Sequence, residues 1–267
     1  MILVGCSGFS YDDWRGALYP PRLGRARMLE AYAEVFPALE INSSYYRTPP
    51  PSTAQSLVRR AEGRLQFAVK APGDLTHRRL LETGIVEPFR RFLEPFAAEG
   101  VLAAVLLQFP GAFQASPANE EFLARASDAL RGLPLALELR HASWDARDPA
   151  PALGACRVQV DQPALPGLAA SLAPRTASGG LAYLRFHGRN AGDWFSQRHP
   201  HDRYRYRYPA GEIAVLAQAT LRASQGAQTT LAFFNNHPDG AAPLDAKAFA
   251  AELGLPLKGT GYRDLFS

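Results

Sequence analysis

The chain has 267 residues, 47% hydrophobic and 20% charged, enough apolar material for a sizeable core and unlike a disordered or low-complexity protein. Its formal net charge of +4 and pI near 9.2 tilt the surface toward anions without the dense basic stripe of a dedicated nucleic-acid binder. Cys6 and Cys156 make no C-x-x-C pair and no disulfide framework, and no apolar run approaches the roughly 20 residues of a membrane helix. The start Met1-Ile2-Leu3-Val4-Gly5 is not a signal peptide, so a cytoplasmic protein without a membrane partner is expected.

In chain order, short apolar, β-branched or aromatic runs recur as ILVGCSG (from Ile2), ALEINSS (from Ala38), LQFAVKAP (from Leu65), LAAVLLQFP (from Leu102), LALELRH (from Leu135), CRVQVDQ (from Cys156), LAYLRFHG (from Leu181) and TTLAFFNN (from Thr229). Their period and flanking turn residues predict about eight strands. Helical composition lies between most of them, at Arg25 to Phe36, Ser52 to Glu62, Val86 to Ala98, Ala118 to Leu130, Gly211 to Ala223 and Ala241 to Leu253. Repeated βα units imply a parallel sheet, and about eight of them over this length predict a closed (β/α)8, TIM-barrel-like fold as a single domain over residues 1–267. Pro149, Pro151, Pro163, Pro166 and Pro174 leave little room for regular helix, so irregular connections are expected around residues 145–180.

Such barrels build their sites at the C-terminal ends of the strands. Those ends present Ser7, then Glu40 and Asn42, Lys70, Gln108, Glu138 with Arg140, Asp161, Arg185 with His187, and Asn235 with Asn236. Side chains alternate along a strand, so Glu40 shares a face with Asn42, Glu138 with Arg140, and Arg185 with His187; each such face is expected to point into the barrel mouth. Polar strand ends also occur wherever strands meet water. Against that bland explanation, the chain has three lysines, at 70, 247 and 258, and one of them ends a strand; three of its five asparagines do so too.

The stretches GCSGFSYDDWRGALYP, LEINSSYYRTP, FAVKAPGDLTH, LLQFPGAF, ELRHASW, YLRFHGRN, YRYRYPAGEI and FFNN, running from near the N-terminus to about residue 236, resemble the YecE-like family, also called the domain of unknown function 72 family. The resemblance implies a TIM-barrel-like fold with these motifs on strand ends and βα loops. It supplies no reaction, so function has to be argued from the site.

The strand ends combine carboxylates with strong cations, which suits a small anionic ligand bearing phosphate or carboxylate, such as a sugar or nucleotide-like molecule. In this reading Lys70, Arg140 and Arg185 grip the anion, Lys70 doubling as a base if its pKa is depressed. Glu138 and His187 exchange protons, Glu40, Asn42, Gln108, Asp161 and Asn235 orient the ligand, and Trp14 walls the pocket. A structural polar layer is the alternative for Glu138 and Arg140. A second function is a metal-dependent, nuclease-like hydrolase on nucleic acid, because Glu138, Asp161, His187 and Asn235 would end four successive strands as oxygen and nitrogen donors. Asn235 stands where a carboxylate is expected and the nearby arginines repel a cation, so no metal or other cofactor is assigned. A third reading is a non-catalytic binding or regulatory module.

The segment from Arg185 to Pro209 interleaves arginines with Trp194, Phe195, Tyr204, Tyr206 and Tyr208, either to contact a ligand or to pack as an ordered lid. Tyr11 in the first loop and Tyr45 and Tyr46 after the second strand are further aromatics. Gly5-Cys6-Ser7-Gly8 lacks the G-x-S-x-G spacing of a nucleophile elbow, and in Gly254 to Thr260 the lysine precedes the second glycine, unlike a P-loop.

Overall fold

The computed structural model describes residues 1–175, 177–196 and 201–257; Lys258 and part of the Arg/Tyr-rich segment lie outside the described residues. The apolar runs form nine parallel strands of one sheet: β1 (Ile2–Ser7), β2 (Ala38–Ile41), β3 (Gln66–Lys70), β4 (Leu102–Phe109), β5 (Leu135–Leu139), β6 (Cys156–Arg157), β7 (Gln159–Asp161), β8 (Leu181–Phe186) and β9 (Thr229–Phe234). The order is β6-β5-β4-β3-β2-β1-β9-β8-β7. The sixth expected strand is therefore two short ones separated by Val158. Its first half pairs with β5 and its second half with β8, so one stretch of chain joins both edges of the sheet into a nearly closed barrel.

Alternation along the strands sorts the apolar residues into two cores. Ala38, Ala68, Ala104 and Ala136 face the barrel interior with Val158, Val160, Tyr183 and Phe233. Four alanines on β2 to β5 leave the space that Tyr183 and Phe233 fill from β8 and β9, their rings 5.4 Å apart. The opposite strand faces, including Leu39, Val69, Leu107, Leu137 and Phe234, meet the helices in the larger core.

The helices are α1 (Met28–Ala33), α2 (Pro51–Ala61), α3 (Gly73–Thr76), α4 (Thr83–Ala98), α5 (Pro117–Ala129), α6 (Ala210–Ala223) and α7 (Ala241–Glu252). Where the sequence supplies a stop or start signal the structure uses it: Pro51 and Pro117 occupy first turns, where no amide donor is missed, and the Ser116 hydroxyl accepts from the Asn119 amide. Among the described residues between β5 and β8 the helical elements are single 3-10 turns, at Ala142–Trp144 and Pro151–Leu153, as the prolines require. No helix among the described residues is long and apolar enough to cross a membrane.

Candidate functional site

The same alternation that builds the barrel interior turns polar at the C-terminal ends. Counting inward from Ala38, Ala136 and Tyr183, the next inward residues are Glu40, Glu138 and Arg185. All three are fully buried and bonded together. Arg185 grips Glu40 with two parallel bonds, Nε to Oε2 at 2.8 Å and Nη2 to Oε1 at 2.7 Å, and reaches Glu138 Oε2 through Nη1 at 2.5 Å. Tyr183 donates to Glu40 Oε2 at 2.6 Å, and Arg140 Nε donates to Glu138 Oε1 at 2.6 Å. Burial works to raise the pKa of both carboxyls, but the guanidinium charges outweigh it and hold Glu40 below, and Glu138 well below, the ordinary carboxylate value. Two carboxylates against two guanidiniums make a neutral layer.

His187 continues the inward face of β8 and is fully buried. The Asn235 amide lies 3.0 Å from its Nδ1. With that amide donating, the ring proton sits on Nε2, 3.4 Å from Glu138 Oε1. Burial lowers the His187 pKa from 6.5 to about 4, so the ring is neutral at physiological pH.

Beyond this layer opens a cleft of about 710 Å³. Lys70, Arg140, Arg185 and Arg203 line it, and no Asp or Glu does among the described residues; Asn42, Gln108 and Asn235 add neutral polar groups. Lys70 ends β3 with its ammonium 4.1 Å from the centre of the Tyr45 ring. Burial, then the charges of Arg185 and Arg140, lower its pKa from 10.5 to about 7. His77 also lines the cleft; burial and the charges of Lys70 and Arg140 lower it to about 4. Aromatic walls come from the βα loops. The turn at Gly8 has φ +90° and no room for a side chain, since a Cβ there would lie 2.7 Å from the Tyr11 hydroxyl. That close approach lets Tyr11 donate to the Ser7 carbonyl and stack on His237, with ring centres 4.8 Å apart.

The structure thus brings together Glu40, Asn42, Lys70, Gln108, Glu138, Arg140, Arg185, His187 and Asn235. Of these, Glu40, Glu138 and His187 lie behind the cleft wall and do not line it. Two expected positions fall elsewhere. Asp161 lies on the opposite face from the inward-facing Val158 and Val160, where Arg189 and the Tyr208 hydroxyl engage it. The break between β6 and β7 does not change that parity, so Asp161 cannot orient a ligand from inside the mouth. Trp14 is fully buried in the first loop, its indole donating to the His237 carbonyl at 2.9 Å, and it anchors that loop rather than walling the cleft. With Asp161 turned away and Glu138 held by two arginines, the four-residue metal constellation does not assemble. Among the described residues no group of three or more His, Cys, Asp or Glu side chains is placed to hold a metal ion.

Sequence reasoning passed over His77, His201 and His237, which line the cleft from loops. Only their positions one loop beyond a strand end could have marked them. Described residues of the Arg/Tyr-rich segment contribute both to the cleft wall and to packing. Tyr204 and Arg203 reach the cleft, whereas Tyr208 is buried, bonding to Asp161 at 2.7 Å and accepting from the Gly188 amide at 2.8 Å.

A nearly closed parallel α/β barrel, here with a cation-lined cleft at the C-terminal ends of its strands, is a TIM-barrel-like architecture. The family model described as "Protein of unknown function DUF72" matches residues 3–264, and the chain belongs to that family. It is 26% identical over 282 residues to the UPF0759 protein YunF of Bacillus subtilis (strain 168), with 99% of each chain covered. The crystal structure of a DUF72 family protein from Thermotoga maritima MSB8 shares 34% identity at a TM-score of 0.85, covering 95% of this chain and 99% of that one. A second, from Enterococcus faecalis V583, shares 28% identity at a TM-score of 0.85, with 96% of each chain covered.

Proposed function

We propose that this barrel is an enzyme that binds a small anionic molecule, a phosphate- or carboxylate-bearing sugar or nucleotide-like compound, and acts on it by acid/base chemistry. The observation that carries the reading is the cleft wall: Lys70, Arg140, Arg185 and Arg203 with no carboxylate among the described lining residues. Tyr45, Tyr46, Tyr204 and His237 supply flat faces for a sugar or base ring.

The division of labour differs from the sequence-based one. Arg185 spends its guanidinium on Glu40 and Glu138, so it supplies field rather than direct grip. Glu138 is held ionised by two arginines and His187 is neutral and walled off, which makes them positioning residues. Proton transfer passes to Lys70, whose pKa near 7 suits either direction at physiological pH. Arg140 and Arg203 grip the anion, and Asn42, Gln108 and Asn235 orient it.

Calorimetric titration of inorganic phosphate and of a sugar phosphate tests the reading. Both are expected to bind, and Arg140→Ala to weaken them by about tenfold or more, roughly 1.4 kcal/mol. Folded protein that binds neither sinks it. Binding with no turnover of any phosphorylated or carboxylated sugar or nucleotide would leave a binding module in place of an enzyme.

A further inference from the structure

The Lys70 amine has the surroundings of a nucleophile as well as those of a proton carrier. We propose that Lys70 forms a Schiff base with the carbonyl carbon of an anionic aldehyde or ketone held in the cleft, the anionic end being taken by Arg140 and Arg203. This rests on the anionic-ligand reading above and narrows its substrate class to molecules with both a carbonyl and an anionic group.

Three observations converge. The Lys70 ammonium faces the Tyr45 ring at 4.1 Å, and no carboxylate lies within ion-pair distance of it among the described residues. The two nearest buried acids, Glu40 and Glu138, are already engaged by Arg185 and Arg140. The Tyr45 ring and the more distant charges of Glu138 and Glu40 favour the ammonium, but burial and the guanidiniums of Arg185 and Arg140 outweigh them and favour the neutral amine, whose lone pair is the attacking species. Composition points the same way. The chain carries 29 Lys and Arg in all, of which only those at 70, 247 and 258 are lysine. Where charge alone is needed this sequence uses arginine, which neither deprotonates nor forms imines. At the one strand end that opens on the cleft beside Tyr45 and His77 it uses a primary amine.

The step balances without an added reagent. The neutral Nζ attacks the carbonyl carbon, a C–N bond forms, and the C=O electron pair moves to oxygen. A proton passes from nitrogen to that oxygen to give a carbinolamine. Protonation of the hydroxyl and its departure as water leave the iminium. His77, neutral and in the same cleft, can relay these protons. The iminium withdraws electrons from the adjacent carbon, so the chemistry open to such a site is proton removal or carbon–carbon bond cleavage next to the former carbonyl.

The test incubates the intact protein with glycolaldehyde phosphate or with pyruvate, reduces with sodium borohydride, and maps the adduct by peptide mass spectrometry. In parallel, inorganic phosphate is titrated by calorimetry. A single reduced adduct on Lys70 is expected, with a yield that rises through about pH 7 and falls when phosphate is added. Lys247, Lys258 and the N-terminal amine are internal controls in the same digest. No adduct, or labelling of Lys70 no faster than of these three amines, overturns the Schiff base. If phosphate nevertheless binds, the anion site stands and only the covalent step is lost. An adduct confined to Lys70 that phosphate does not compete with keeps the imine and removes the anion site.

Discussion

Arg185 holds two carboxylates at once, so Glu40 and Glu138 are the residues whose loss the barrel should tolerate least. Either Glu→Gln change leaves a buried guanidinium partly uncompensated. The expected cost is about 3–5 kcal/mol, read as a lower urea midpoint with an unchanged slope. Lys70 is the reverse case. Its folded pKa lies below its ordinary value, so below about pH 7 the folded state carries a charge in surroundings that disfavour it. Lys70→Met is expected to stabilise by on the order of 2 kcal/mol at neutral pH, with the gain shrinking as pH rises toward 10.5. A destabilised variant would mean that the amine makes a structural bond after all. The histidines set the acid side. His77, His187 and His237 are each lowered from 6.5 to about 4, so the unfolded chain binds more protons in that window. Stability should fall as pH drops from about 6.5 toward 4. It should fall further as Glu40 and Glu138, held below their unfolded values, finally protonate. Chemical denaturation across that range shows whether the loss begins near the histidine value or only at the carboxylate one.

The loops after β1 and β8 are where single bonds decide the shape of the cleft. Gly188 turns with φ +85°, and its amide donates to the Tyr208 hydroxyl, which in turn bonds Asp161. That chain of bonds ties the segment carrying Arg203 and Tyr204 to the end of β7. Tyr208→Phe leaves a buried amide without a partner and is expected to cost about 1–3 kcal/mol. It should also weaken phosphate binding, although Tyr208 is not in the cleft wall. Unchanged affinity with lowered stability would separate the segment's packing from its role at the mouth. At this scale the sequence was legible where periodicity is strong. All six expected helices form, most within a few residues of the expected bounds. The short α3 helix lacks enough turns to show a period, and it went unread.

For the molecule as a whole, the weak seam is the strand that closes the barrel. β6 pairs with β5 at two positions and β7 with β8 at three, whereas β8 and β9 pair at six. Short ladders open at lower free-energy cost than long ones, so amides of residues 156–161 should exchange with deuterium well before those of 181–186. Equal protection would mean that the barrel opens only by global unfolding. Phosphate bound at the mouth should not change this order, because the cleft lies mainly across the ends of β1 to β5, β8 and β9.

Local rules were enough to read the barrel in the sequence. The βα rhythm marks parallel pairing, proline marks the irregular stretch before β8, and period-two alternation puts Glu40, Glu138, Arg140 and Arg185 on inward faces. Tertiary structure alone decided how those charges are used. Parity along one strand says nothing about which guanidinium meets which carboxylate across the barrel, and that pairing holds Glu138 ionised against Arg185 and Arg140 behind the cleft wall, while Lys70 lines the cleft. The same holds for Asp161 and Trp14. Their residue types promised a site, but the parity of the closing strand and the fold of the first loop, both set by contacts far away in sequence, turned them out of it.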